Sequence, residues 1–492
     1  MEIHFQVDVR ISFCWMAMKY IDELLTPQIK SENVSFDRLV DVPGKVEVHA
    51  GRGCNKVSIH DDGIVVEGAT DQETRQGLNY IRQLEILFEG RLPACEFEFF
   101  SPAFEYRGFM IDVCRHFMPV DEIKRIVDAM ALVGYNHFHW HLTDDQGWRF
   151  EVEGYPRLKE VSSKRRNSEY HGYELIHEGI YSNEELADVV RFCTERGVRI
   201  VPEIEIPGHS TALLAAYPEF GCTGCSLEVE THWGIFDDVL NPSCKEMWTF
   251  LDSAIAALCR IFPGPFIHIG GDECPHVQWE GNEGCRALMD ELGIKDANEL
   301  QGWCTTKAAG IVGRHGRRAI GWDEVVDASA IESSVVVMSW RGLEGARKAT
   351  AKGHNVILCP QQGCYLDKGY TKDDFEPAQW GAYTVKDTFD LDIGMAELGE
   401  RSSLILGGQC NLWTEQIRNG REAEYMMFPR VFVFSDSLWL GDRKSWGRTS
   451  KRKKAMSQLC YNLDLVCSPA RWEEDSKSPK GSSPAIAAVG EE

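Results

Sequence analysis

A (β/α)8 barrel preceded by a small α/β domain is the fold class this sequence predicts, on three observations. Eight short apolar runs of strand character follow Arg107, with mostly helical material between them. No glycine-rich phosphate loop follows the first run, as an open doubly wound sheet usually carries. Strand after strand ends in polar or aromatic residues, the arrangement of a barrel whose chemistry sits where strands enter the following loops.

The expected elements run in order. Residues 1–100 read as a separate small domain, with strand character at Val46–His49, Val57–His60 and Ile64–Glu67. Thr70-Asp-Gln-Glu73 is a capping box opening a helix whose apolar face carries Leu78, Ile81 and Leu84. The barrel is expected over residues 101–472, with strands at Gly108–Val113, Asn136–Leu142, Val198–Glu205, Phe266–Gly271, Ala319–Val325, Val335–Trp340, Asn355–Cys359 and Leu404–Leu406. Pro119 and Asp121 start a helix lined by Ile123, Ile126, Val127 and Met130. Ser182-Asn-Glu-Glu185 caps a second, lined by Leu186, Val189, Val190 and Cys193, and Ser243-Cys-Lys-Glu246 opens a third. The polar, Pro- and Ser-rich residues 473–492 read as a disordered tail.

Composition narrows the function classes. The chain has 492 residues, more than one hydrophobic core usually spans. Its formal charge of −24 would repel a phosphate backbone, which argues against nucleic acid as partner. The basic run Lys451–Lys454 then reads as a solvated helix face. The cysteine count of 17 is odd, and many of the cysteines lie in apolar runs as small hydrophobes. Cys222 and Cys225 form one CxxC without a second pair, so no metal or other cofactor is expected. Acidic and basic residues interrupt Met1–Lys30, and no run is long and apolar enough for a bilayer. No signal segment, no membrane association and a cytoplasmic location are the resulting expectations.

The strand ends carry the chemistry. They read His139-Trp-His-Leu-Thr-Asp-Asp145, Pro202-Glu-Ile-Glu-Ile-Pro-Gly-His209, His268-Ile-Gly-Gly-Asp-Glu273, Gly321-Trp-Asp-Glu324, Ser339-Trp-Arg341, Tyr365-Leu-Asp367 and Asn411-Leu-Trp-Thr-Glu415. One Trp near a strand end is ordinarily core, and one Asp there is ordinarily a helix cap. Trp140, Trp322, Trp340 and Trp413 gathered with several carboxylates suit a sugar, whose C–H faces stack on rings while its hydroxyls seek charged partners.

Asp272-Glu273 is the sharpest feature. Neighbouring strand residues point to opposite faces, so both reach one ligand only where the strand is ending. Gly270-Gly271 permits that irregular backbone. Two adjacent carboxyls drive one to hold a proton while the other stays ionised, the division a glycosidase uses. A buried capping Asp beside a salt-bridged Glu would look the same in sequence.

With these residues in view, the chain resembles glycoside hydrolase family 20, the β-N-acetylhexosaminidases, over residues 105–472. Arg107-Gly-Phe-Met-Ile-Asp-Val-Cys-Arg-His116, His139–Trp148, Pro202–His209, His268–Cys274 and Asn411–Glu415 match family motifs in order. The resemblance implies a retaining exo-β-N-acetylhexosaminidase that uses the substrate's own 2-acetamido oxygen as nucleophile, through an oxazolinium intermediate. It implies Glu273 as general acid and then base, Asp272 as the residue orienting the acetamido group, and Tyr365 as hydrogen-bond donor to its carbonyl. It makes Trp322, Trp340 and Trp413 the acetamide cage, and Arg107, Asp367 and Glu415 the set holding the terminal sugar's hydroxyls. It makes His209 and Asp144 a supporting link behind the acid. Partners are then oligosaccharides or glycoconjugates ending in β-linked N-acetylglucosamine or N-acetylgalactosamine. Glu205 stands where the family usually has Asp, and its role is left open. Two alternatives are a family relative that releases a disaccharide, a lacto-N-biosidase, and a non-catalytic carbohydrate-binding barrel. The second would need Asp272, Glu273 or Tyr365 to be missing, and all three are present.

Overall fold

The computed structural model describes residues 21–25, 28–31, 34–42, 44–166, 176–328, 331–371 and 376–469. The expected tail at 473–492, and residues 1–20 of the stretch read for a signal segment, lie outside these residues.

Eight parallel strands close into a barrel: β1 (Tyr106–Asp112), β2 (His137–His141), β3 (Arg199–Glu203), β4 (Phe266–His268), β5 (Arg318–Trp322), β6 (Val336–Ser339), β7 (Val356–Leu358) and β8 (Ile405–Leu412). β8 closes on β1 from Gly407 opposite Tyr106 to Leu412 opposite Ile111. β4 is shorter than expected because Gly270 (φ 63°) and Gly271 (φ 101°) leave the extended region just after it. β8 is longer than expected. Its Gly-Gly-Gln-Cys-Asn run has little intrinsic strand preference, and pairing with β1 imposes the conformation.

Ahead of the barrel, a four-stranded sheet runs in the order Val46–Ala50, Gly63–Gly68, Lys56–His60, Cys95–Glu98. α1 (Asp71–Leu87) packs on it, with Tyr80, Ile81, Leu84 and Leu87 buried. Leu78, expected on that face, is exposed: three residues are less than a turn, so spacing by threes carries it off the stripe. α1 also faces α2 (Val120–Leu132), where Arg82 Nη1 donates to Asp128 Oδ1 (2.9 Å) and Gln83 Nε2 to Leu132 O (2.8 Å).

The capping box at Ser182 forms in full, Glu185 N donating to Ser182 Oγ and Ser182 N to Glu185 Oε2. The helix expected to open at Ser243 starts at Lys245 without a side-chain cap, and Ser243 Oγ donates to Asn241 Oδ1 (2.7 Å).

The barrel interior is polar at its centre. His139 and His141 alternate inward along β2 and meet Glu203 of β3 and His268 of β4. The same alternation turns Trp140 outward, where its ring packs against Tyr181 (4.8 Å) and Phe262 (6.3 Å) beneath the helices. Trp140 therefore stands apart from the other three tryptophans.

Candidate active site at the barrel mouth

A cavity of 360 Å³ opens at the C-terminal ends of the strands. Arg115 reaches it from beyond β1, Asp144 from beyond β2, Glu205 and His209 from beyond β3, and Asp272 and Glu273 from beyond β4. Trp340 follows β6, Tyr365 and Asp367 follow β7, and Trp413 and Glu415 follow β8. A larger cleft of 680 Å³ lies elsewhere, along Glu151–Glu160 and Arg260, with mostly exposed side chains and no converging carboxylate pair.

The catalytic-type pair rests on strained backbone. Glu273 (φ 43°) and His209 (φ 48°) both occupy the left-handed region, unusual for residues with a side chain. They face each other, with His209 Nε2 at 3.5 Å from Glu273 Oε2 and 3.9 Å from Asp272 Oδ2. Gly270 must be glycine here, since a Cβ would overlap the Glu205 carboxylate as well as oppose the backbone.

Electrostatics sort the carboxyls by surroundings. Burial pushes Asp272 up to about 7, with His209 opposing the rise and the Glu273 charge adding to it. Its side chain is 13% exposed and that of Glu273 34%. In the open cavity, burial thus loads Asp272 toward a proton. A sugar filling the cavity would remove the water around Glu273. Burial also opposes the charge of Asp144, yet Arg115 and His209 hold its carboxyl well below the usual range. His209, despite burial, is raised well above the ordinary imidazole by Asp144, Asp145 and Glu273. Its closer partner is Asp145: Nδ1 lies 2.9 Å from Asp145 Oδ2 and 3.3 Å from Asp144 Oδ1. Asp145 is held in turn by Thr211 N (2.9 Å) and Thr211 Oγ1 (2.7 Å).

The aromatic side is compact. Trp340 and Tyr365 lie nearly parallel (6.2 Å, 17°), and Trp413 stands 6.1 Å from Tyr365. Trp340 Nε1 donates to Glu324 Oε2 (3.0 Å), fixing its plane. Trp322 is deeper than expected; it backs Trp413 (5.9 Å) and His268 (4.6 Å). Leu366 N donates to Asn411 O (2.8 Å), tying the Tyr365 segment to β8 at the edge of the cavity.

Charged groups line the cavity as well. Asp367 is buried and Glu415 half-buried against it, each with one carboxylate oxygen lacking a protein partner. Burial raises both, Glu415 to about 7 against the pull of Arg115. Arg107, expected with them, is not there. It lies near the start of β1, at the far end of the barrel, where Nε donates to Gly134 O (2.7 Å) and Nη1 to Phe104 O (2.8 Å), under Trp439. The residue at the cavity is Arg115, from the same motif. It bonds Asp112 Oδ2 (3.2 Å), Asp144 Oδ2 (2.9 Å) and Gln146 Oε1 (2.9 Å). Its place past the strand end was the available signal.

Sequence reasoning also missed Glu203. Completely buried, it accepts from His141 and lies 3.0 Å from His139 Nε2 and 2.7 Å from His268 Nδ1. Burial disfavours its charge, but the three histidines, His268 foremost, hold it well below the usual range. These groups, and Asp144-Asp145-His209, bring ligand-type atoms within 4.8 Å of one another. The short carboxylate–histidine bonds already account for that closeness. Glu205, whose role was left open, has neither oxygen hydrogen-bonded, and burial, then Asp272 and Glu203, push its carboxyl well up.

Comparisons with known proteins show the family. The family model for glycosyl hydrolase family 20, catalytic domain, matches residues 104–442. The beta-hexosaminidase of Porphyromonas gingivalis is 32% identical over 494 residues, covering 94% of this chain and 61% of that protein. That of Akkermansia muciniphila is 33% identical, covering 81% of this chain and 83% of its own length. The chain therefore spans about three fifths of the Porphyromonas protein's length. Among solved structures, the exo beta-N-acetylglucosaminidase of Vibrio harveyi in complex with N-acetylglucosamine superposes with a TM-score of 0.81 at 27% identity, covering 91% of this chain and 78% of that one.

Proposed function

Since the chain belongs to glycosyl hydrolase family 20, we propose that it is a retaining exo-β-N-acetylhexosaminidase working by substrate-assisted catalysis. The observation that carries this reading is the pairing of Asp272 and Glu273 in one cavity walled by Trp340, Tyr365 and Trp413. A neutral amide is a poor nucleophile unless it is pinned against the anomeric carbon, and a tight aromatic wall supplies that positioning. Glu273 gives its proton to the glycosidic oxygen as the C1–O bond breaks, while the acetamido carbonyl oxygen bonds C1 from the other face. Tyr365 donates to that carbonyl oxygen. Asp272, ionised in this step, accepts from the acetamido N–H and stabilises the positive charge of the oxazolinium. Water then adds to C1 with Glu273 as base, which restores the starting configuration. His209, cationic between Asp145 and Glu273, steadies the Glu273 anion after it gives up its proton.

Exo action is supported by the charged end of the cavity. Arg115, Asp367 and Glu415 close it, and a chain continuing past the terminal sugar would leave those charges unpaired. Substrates are then oligosaccharides or glycoconjugates ending in a β-linked N-acetylhexosamine.

The test compares p-nitrophenyl N-acetyl-β-glucosaminide with the corresponding β-glucoside, which has no acetamido group. The first should be cleaved, at least about a thousandfold faster than the second, since the internal nucleophile is lost. A thiazoline mimic of the oxazolinium should inhibit. Equal rates on the two glycosides would refute substrate assistance.

A further inference from the structure

Lys368 lines the cavity beside Asp367, and its side chain is only 8% exposed. Its backbone is fixed on both sides. Arg430 Nη1 donates to Lys368 O (2.8 Å) and Nη2 to Leu366 O (2.7 Å), while Gln379 N donates to Asp367 O (2.8 Å). Lys368–Gly369 pairs with Gln379–Ala382, and the lysine stem passes Gly381, where a Cβ would meet Cδ at 3.8 Å. From there Nζ reaches two groups. It lies 3.4 Å from Asp367 Oδ2 and 4.2 Å from the centre of the Trp380 ring. Trp380 is 71% exposed at the cavity mouth.

The need for such a cation follows from Asp367. A carboxyl that must accept from sugar hydroxyls has to be an anion, and burial works against that. Glu415 across the cavity adds to the same penalty, and the Tyr365 and Tyr383 hydroxyls bring no positive charge. Lys368 is the foremost opposing group, with Arg430 weaker behind it. Asp367 Oδ1, meanwhile, has no protein partner.

On the reading that Asp367 and Glu415 hold the terminal sugar, the geometry points to Lys368 as a positioning residue. Pinned between Asp367 Oδ2 and the Trp380 ring, it fixes Asp367 as an anionic acceptor with Oδ1 free for a sugar hydroxyl. The indole holds the ammonium by its ring face, so an exposed residue at the mouth steadies a buried one at the closed end.

The experiment measures KM and kcat for p-nitrophenyl N-acetyl-β-glucosaminide between about pH 5 and about pH 8.5 in the full chain. The proteins are wild type, Lys368→Met, Lys368→Arg, Asp367→Asn and the Lys368→Met/Asp367→Asn double variant. Lys368→Met should raise KM most at the acid end of this range, by at most about tenfold for each unit on the Asp367 carboxyl, with kcat within about twofold. That rise should fade as pH increases and Asp367 ionises unaided, whereas Lys368→Arg should keep the wild-type profile. In the Asp367→Asn background, removing the lysine should change nothing further. A KM for Lys368→Met that is unchanged, or raised equally at every pH, overturns the proposal. If Lys368→Met does not fold, Trp380→Leu decides. It should move the same limb of the profile by a smaller amount, and an unmoved limb rejects the role. Wild-type KM in Asp367→Asn rejects the sugar-holding reading itself, while raised KM there with an unmoved Lys368→Met profile rejects only the part given to Lys368.

Discussion

The two ends of β1 each hold a buried arginine, and they do opposite things. Arg107, at the start of the strand, spends its guanidinium on the carbonyls of Gly134 and Phe104 beneath Trp439, in the seam between the small domain and the barrel. Arg115, three residues past the strand end, is held by the carboxylates Asp112 and Asp144 and faces the cavity. Carbonyl partners leave an arginine with nothing to offer a ligand, and they join segments of chain. Carboxylate partners orient it at the cavity. Backbone at the mouth is strained at His209 and Glu273, and carboxyl oxygens of Asp272, Asp367 and Glu415 there lack hydrogen-bond partners, whereas Arg107 at the opposite end is spent on backbone carbonyls.

The largest break in this contrast should come at the mouth. Glu273→Gln is expected to lower kcat on an N-acetyl-β-glucosaminide with a poor leaving group by about 10²–10⁴-fold, with the thermal midpoint little changed. Initial rates on purified protein check this, and an unchanged kcat would remove Glu273 from the acid role. Arg115→Met should come next, lowering kcat/KM by roughly 10–100-fold through a lost charged hydrogen bond. It should also lower the thermal midpoint, because Asp112 and Asp144 are left buried without their cation. Arg107→Met sharpens the comparison from the other end. It should cost about 1–3 kcal/mol in urea unfolding while kcat/KM per folded molecule stays within about twofold. Normal stability with a raised KM would return Arg107 to the sugar site.

The smallest expected effect is a pH dependence of stability. Burial raises Asp272 to about 7, from an ordinary value of 3.8. Between those values the folded protein keeps a proton that the unfolded chain has released. This contribution is fully present below the unfolded value and is lost as pH rises through the folded one. The stability of wild type relative to Asp272→Asn should therefore fall by about 1–3 kcal/mol from about pH 4 to about pH 8. A flat difference across that range would mean that the Asp272 carboxyl is not perturbed in the empty site.

Much of the fold was legible because local signals and tertiary structure agreed. The Ser182 capping box formed as its spacing requires, and the irregular backbone expected at Gly270-Gly271 is present, although the strand stops before these glycines. Element bounds shifted elsewhere. The helix expected to open at Ser243 starts at Lys245, and the Gly-rich end of β8 took strand form only by pairing with β1. At the site, Asp272, Glu273, Tyr365, Asp367, Trp413 and Glu415 could be placed because each lies just beyond a strand end. Lys368 and Trp380 escaped, since one lysine and one tryptophan in a loop carry no period and no motif.

The sequence by itself determined the barrel, the order of its strands and the pair of adjacent carboxylates at the end of β4. Those depend on short-range pattern: apolar runs, glycines and residues next to one another in the chain. Only the tertiary structure decided which arginine of one motif meets the cavity, that Trp140 turns away, that Asp145 is the nearer partner of His209, and that Asp272 is the more buried carboxyl. Each of these is set by which side of a strand a residue occupies, or by which groups from distant segments surround it. Direction and burial are properties of the packed molecule, and the order of residues along the chain does not record them.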